Sequence, residues 1–210
     1  MKKISVILLL GILVFSANAQ KLNLGLKFIP NISWMKSEAP LTIANDGIGF
    51  GYSYGLTIDY NFTNNYCLNI DLLSTNINLR SEHKDSISIF SKWKHQYVAI
   101  PLAIKMKTNR ASNNLLYFGK IGIAPMIKTS AKLSNVNNSD QINFFNTTLQ
   151  IGGGVHYYLG EGNTAIVGGL TFHNGLMRFN NKKANIFPNI DLTTVSLTSS
   201  FIAIDLGIIF

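Results

Sequence analysis

Apolar and polar residues alternate along most of the chain. Between Ile48 and Phe62 every even position is apolar: Ile48, Phe50, Tyr52, Tyr54, Leu56, Ile58, Tyr60 and Phe62. Every odd position is not: Gly49, Gly51, Ser53, Gly55, Thr57, Asp59 and Asn61. At the chain's 47% hydrophobic content, chance gives such a window about 3 × 10⁻⁵ of the time, so the period of two is a strand signal. Fifteen alternating residues exceed the five or six usual in a soluble strand. They suffice for a tilted strand crossing a bilayer, which needs about 9–11 residues in the hydrocarbon.

Seven further segments follow the same rule. Leu22, Leu24, Leu26 and Phe28 alternate with Asn23, Gly25 and Lys27. Tyr66, Leu68, Ile70 and Leu72 alternate with Cys67, Asn69 and Asp71, and the phase then slips near Leu73. That slip predicts a bulge or the point where the strand leaves the membrane. Val98–Met106, Leu115–Ile127, Phe145–Leu159, about Thr164–Gly175 and about Thr193–Phe210 complete eight strands. Their connections alternate in length: 14 residues (Trp34–Gly47), 3 (Thr63–Asn65), 12 (Ser81–Lys92), 7 (Thr108–Asn114), 16 (Thr129–Phe144), 4 (Gly160–Asn163) and 17 (Leu176–Leu192). Long connections at one end and short turns at the other are the pattern of outer-membrane barrels. The predicted fold is all-β, an eight-stranded antiparallel up-and-down transmembrane β-barrel.

The first residues belong to a different code. Lys2 and Lys3 precede an apolar run from Ile4 to Phe15, and Ala17-Asn18-Ala19 has the small-x-small form of a cleavage site. Residues 1–19 therefore read as a secretory signal, and residues 20–210 as the barrel domain. Removing Lys2 and Lys3 takes the formal charge from +8 to +6. A single cysteine, Cys67, excludes a disulfide scaffold, a zinc ribbon and paired-cysteine redox chemistry.

Alternation alone does not say which face is outside. A secreted lipocalin-like barrel lines its lumen with apolar side chains around a ligand, and a membrane barrel inverts this. Three features favour the membrane barrel. The polar face is rich in glycine (Gly49, Gly51, Gly55, Gly122, Gly152, Gly154, Gly207), which suits a narrow lumen. Aromatics near the short turns (Tyr60, Phe62, Tyr66, Tyr157, Tyr158) match an interfacial girdle. Phe210 lies in phase with the apolar face of the last strand, as in the segment that barrel-assembly machinery recognises. The strand charges Lys27, Asp59, Asp71, Lys105, Lys120 and Asp205 all fall on the opposite face, three against three. An interior ion-pair network follows, with Lys27 and Asp205 meeting where the barrel closes. Eight strands leave room only for side chains, so no aqueous pore is expected.

Three segments bear a family likeness. Tyr97-Val98-Ala99-Ile100-Pro101-Leu102-Ala103-Ile104-Lys105 resembles a strand of the PorT-like outer-membrane β-barrel family of Bacteroidetes. Gly152-Gly153-Gly154-Val155-His156-Tyr157-Tyr158-Leu159-Gly160, followed by Phe172-His173-Asn174-Gly175-Leu176, resembles a second family stretch, and Leu206–Phe210 its closing strand. Ala99 and His156 stand where that family carries glutamates. The resemblance implies an outer-membrane location and assembly by the barrel-insertion machinery. It marks architecture rather than an activity.

Candidate chemistry is thin. His156 and His173 sit at inward positions as structural histidines, while His83 and His95 flank the second long loop and are expected to be solvated. No H-x-H or H-E-x-x-H pattern occurs, so no catalytic, cofactor-binding or metal-binding residue is assigned and no cofactor is expected. An outer-membrane enzyme acting on lipid would draw on Asp85, Ser86, Ser88 and Ser91 beside those two histidines. Lys36, Lys84, Lys92, Lys94, Lys128, Lys132, Arg178, Lys182 and Lys183 lie in or beside the long loops. Export argues against nucleic acid as their partner and favours lipopolysaccharide phosphates. Trp34 and Trp93 read as interface anchors. The expected role is structural, or interaction with a protein partner through the long loops, without catalysis. The alternatives are the soluble ligand-binding barrel, the lipid enzyme and a narrow channel.

Overall fold

A computed structural model describes residues 21–38, 43–83, 89–111, 114–134, 136–137, 140, 142–160, 162–181 and 195–210. They form eleven strands: β1 (Leu22–Ser37), β2 (Ile43–Asn45), β3 (Gly49–Asn61), β4 (Tyr66–His83), β5 (Ile89–Ala99), β6 (Leu102–Lys107), β7 (Leu115–Leu133), β8 (Val136–Asn137), β9 (Phe145–Tyr158), β10 (Ala165–Gly175) and β11 (Leu197–Ile209). β5 and β6 are one stave interrupted at Ile100-Pro101, where the proline has no N–H to give. The break is bridged by Asp71 N–H to the Pro101 carbonyl (3.0 Å) and Ile100 N–H to the Pro125 carbonyl (2.9 Å). β2 and β8 are short additions to β4 and β7. Eight staves remain, all antiparallel, and β11 pairs with β1 to close the ring.

The register sets the barrel's shape. Partners followed once around the ring run Leu22, Tyr60, Leu68, Ile104, Ile121, Ile151, Phe172, Ile202 and back to β1 at Ile32, ten residues from the start. Eight strands with that stagger tilt about 40° from the axis at a radius of about 8 Å.

This circuit passes through apolar residues at every step, and the neighbouring positions decide which face is outside. Phe50 is 65% exposed and Ile204 42%, whereas Asp59 is 1% and Lys120 5% exposed. Apolar side chains cover the outer wall and the charged set fills the lumen. On β3 the outward apolar run from Phe50 to Tyr60 rises about 25 Å along the axis, the height of a lipid-facing band. The lipocalin-like alternative requires the opposite polarity.

Above that band the polarity inverts. Outward positions on β4 read Tyr66, Leu68, Ile70, Leu72, then Ser74, Asn76, Asn78, Arg80. Inward positions read Cys67, Asn69, Asp71, then Leu73, Thr75, Ile77, Leu79. No bulge forms at Leu73, where the strand keeps its phase and pairs without a shift, which leaves the other reading of that position, the strand leaving the lipid. What changes is its surroundings. The bulge lies elsewhere, in β7, where Tyr97 pairs with Lys128 and Gln96 with Ser130, leaving Thr129 as the extra residue. The second long connection also shrinks. β4 runs to His83 and β5 starts at Ile89, so strands replace most of the expected Ser81–Lys92 loop.

An apolar core fills the upper lumen. Met35, Ile77, Leu79, Trp93, Tyr97, Met126 and Phe201 pack there beneath Ile142, Phe179 and Val195 from the connecting segments. Asn180 holds that cap, donating from Nδ2 to the Val195 carbonyl (2.8 Å) and accepting the Leu197 N–H (2.9 Å). A smaller cluster of Leu116, Phe118, Ala165, Val167 and Ile209 closes the end with the short turns.

Candidate functional site

Between the two apolar clusters lies the charged layer. Lys27 Nζ sits 2.8 and 2.7 Å from the two Asp71 carboxylate oxygens, Lys105 2.6 Å from Asp59, and Lys120 2.7 Å from Asp205. All six side chains are nearly inaccessible. The partner choice differs from the expected Lys27–Asp205 meeting at the seam: Lys27 reaches past β3 to β4, and Asp205 crosses the lumen to β7. Each pair joins strands that are not neighbours, so each pins the barrel across its interior. Asn69 Nδ2 reaches Thr57 Oγ1, Asp59 and Asp71 at 2.8–3.1 Å, and Thr171 Oγ1 donates to Asp205 (2.5 Å). Small residues make room here. A Cβ at Gly122 would overlap the Leu102 carbonyl, and one at Gly152 would overlap Thr171.

Asp71, Lys120, Gln150, His173 and Asp205 border a cavity of about 20 Å³, room for about one water. His173 accepts or donates at Thr148 Oγ1 (3.0 Å) and stacks on Phe201 with centroids 4.2 Å apart. His156 is buried against Phe118 (4.9 Å) with no partner for either ring nitrogen among the described residues. Among the described residues no three metal-ligating side chains converge.

Several readings of single residues change. His95 is not solvated: it points inward, 1% exposed, edge-on to Phe179 and beside Tyr97. Its level lies above the membrane-spanning part of its stave, Val98–Met106. Burial, reinforced by the Lys128 charge, pushes its pKa down to about 3. Trp93 is an interior residue rather than an interface anchor, donating from Nε1 to Ser81 Oγ (2.8 Å). Trp34 does face outward, stacked on Phe172. Tyr158 turns into the lower mouth, under the Arg110 guanidinium at 4.5 Å, instead of joining the girdle. Ser91 is buried inside β5. Lys84, Asp85, Ser86, Ser88, Lys182 and Lys183 lie outside the described residues, as do residues 1–20 and the side chain of His83.

The period of two also hid a second pattern. Gly51-Tyr52-Ser53-Tyr54-Gly55 has the G-x-S-x-G spacing of a nucleophile elbow, a motif that needs a strand-to-helix turn. Here it lies inside β3 with Ser53 buried in the lumen, so the spacing is coincidental.

Outside the barrel, above the lipid-facing band, Arg80, Lys92, Lys94 and Lys132 all project outward from β4, β5 and β7. Lys128 instead donates to the Ile142 carbonyl (2.6 Å), and Lys36 to Asn174 Oδ1 (2.7 Å).

Among solved structures, the chain is similar to Neisserial surface protein A, with a TM-score of 0.51 and 13% identity over 90% of this chain and 96% of that one. It is also similar to the outer membrane protein OprG from Pseudomonas aeruginosa, with a TM-score of 0.56 and 12% identity over 90% and 95%. At these identities the likeness is one of fold. No curated protein matches the chain. The family model for the outer membrane protein β-barrel domain matches residues 18–149, well over half the sequence. With that match, a closed eight-stave ring and a lipid-facing outer wall, the chain belongs to the outer membrane β-barrel domain family and resides in the outer membrane.

Proposed function

We propose that this barrel works without catalysis, as a structural or docking protein whose active surface is the rim standing clear of the lipid. The observation that carries this is the inversion of polarity above Leu72. Strands continue past the lipid band, turn polar outward, and enclose an apolar plug under Phe179. A wall built this way is a soluble surface raised above the membrane, and its filled interior supports a non-conducting reading. Lipopolysaccharide and a protein partner are the occupants that the rim and long loops would meet. The Tyr97–Lys105 and Gly152–Gly160 stretches support membership of the PorT-like branch. Export would remove residues 1–19, and the barrel-insertion machinery would assemble the remainder.

Two measurements test the reading together. In intact cells, a Lys132→Cys variant should react with a membrane-impermeant maleimide, and an Ile204→Cys variant should not. In planar bilayers the folded protein should give no stepwise conductance. Labelling at position 204, silence at position 132, or regular channel steps would each overturn it.

A further inference from the structure

The outer wall turns polar at a lower level on β4 than on its neighbours. Ser74 and Asn76 face outward, and the register seats Ser74 between Tyr54 and Val98 and Asn76 between Tyr52 and Gln96. Along the barrel axis each residue climbs about 2.5 Å and each step to the next stave about 3 Å, which puts Ser74 about 7 Å and Asn76 about 2 Å below the exposed Phe50. Ile127, on the other side, stays apolar almost to the level of Phe50. A polar notch therefore cuts down into the lipid-facing band. Above it, Asn78, Gln96 and Ser130 continue the polar surface around a hollow of about 320 Å³.

The polar groups of the notch are left without partners. The hydroxyls of Tyr52, Tyr54 and Ser74 and the Asn76 carboxamide make no side-chain hydrogen bond among the described residues. The rings of Phe28, Tyr52 and Tyr54 line up beside them, with centroids 6.4 and 6.3 Å apart. On another wall, polar groups at a similar level are satisfied within the chain: Asn174 Oδ1 accepts from Lys36 Nζ (2.7 Å) and from Ser200 Oγ (3.3 Å). Hydrocarbon offers nothing to a hydroxyl or an amide, so lipid is a poor neighbour for the notch. A face whose apolar height falls short of the bilayer also favours association that hides it.

We propose that the notch is the interface between two copies of this barrel in the membrane. Copies inserted in the same direction form a closed pair about a two-fold axis along the membrane normal, so every group meets the second copy at its own level. Lysine cannot pair with lysine in that geometry. Hydroxyls and carboxamides can, because each both donates and accepts, and all four unpartnered groups are of those kinds. Two convex walls touch along a narrow strip, and Tyr52, Tyr54, Ser74 and Asn76 fall within about 8 Å around the circumference. Asn76 then meets its own counterpart, Ser74 meets its counterpart below, and the tyrosine row closes one side. Lys94 stands over the same strip about 8 Å higher, in water, where salt screens its approach to the second copy. This contact lies within the lipid and leaves the rim free.

The test uses the mature barrel carrying Cys67→Ala, folded into phosphatidylcholine vesicles. Heat-modifiable gel migration is checked for every variant, so a failure of the barrel reading shows there and not in the association. Under copper–phenanthroline, Ser74→Cys should give about fivefold or more disulfide-linked dimer than Leu149→Cys, which faces lipid at about the same level on another wall. With donor and acceptor dyes on Asn64→Cys in a short turn, energy transfer between copies should hold or rise as salt is added. Ser74→Leu with Asn76→Leu should lower that transfer about fivefold or more, and Ser74→Thr with Asn76→Gln should stay within about twofold. Should the leucine variant not fold, Ser74→Ala with Asn76→Ala carries the same fivefold expectation. Equal cross-linking at positions 74 and 149, unchanged transfer in the leucine variant, or transfer lost as salt rises would overturn the interface.

Discussion

The lumen at the level of the lipid and the lumen above it are built from the same eight strands and have opposite interiors. Within the lipid band, three lysines and three aspartates fill the centre and apolar residues face out. Above it, Trp93, Tyr97, Met126 and Phe201 fill the centre, and lysines and amides face out. The upper part obeys the ordinary rule of a water-soluble core. The lower part has lipid outside, so burying apolar groups inside gains little over leaving them in hydrocarbon. What the charged layer contributes there is register. A one-residue slip of any strand turns its inward set outward. Slipping β3 or β11 would then place Asp59 or Asp205 in lipid.

The sharpest way to break the comparison is to unpair one charge of the lower layer. Asp71→Leu leaves Lys27 buried without its carboxylate and should cost about 3–5 kcal/mol of unfolding free energy. Lys27→Met with Asp71→Leu should recover most of that, to within about 1 kcal/mol of the native chain if register survives. Urea unfolding in vesicles measures both, and a double variant as weak as the single would show that the pair itself stabilises the barrel. Next in size is the outer wall. Ile204→Lys at mid-band should cost about 2–4 kcal/mol, while Gln96→Lys, one outward step above Val98, should stay within about 0.5 kcal/mol. Similar penalties at the two sites would misplace the boundary.

The smallest expected effect is pH dependence in the upper core. His95 titrates near 6.5 when unfolded and about 3 when folded, so the unfolded chain binds the extra proton between those values. Stability contributed by the neutral ring is present above pH 6.5 and falls as pH drops toward 3, by at most about 3 kcal/mol at pH 4. His95→Phe should flatten that slope. An unchanged slope would place the sensitivity elsewhere.

The number of staves and the identity of the lipid-facing residues were legible in the sequence, because a period of two is local and each residue's face follows from its parity, whereas the expected Ser81–Lys92 loop proved to be mostly strand. Ile48 to Phe62 states this almost without noise. Parity also placed all six strand charges in the lumen, but it said nothing of their partners. Lys27 meets Asp71 instead of Asp205 because partners depend on the ten-residue stagger around the closed ring, a property of the whole sheet. The upper half was misread for a related reason. Leu73, Ile77, Trp93 and His95 look like a broken pattern or a solvated loop when lipid is assumed along the entire strand. Only the assembled barrel, extending past the lipid, reveals that the phase persists while the solvent outside changes.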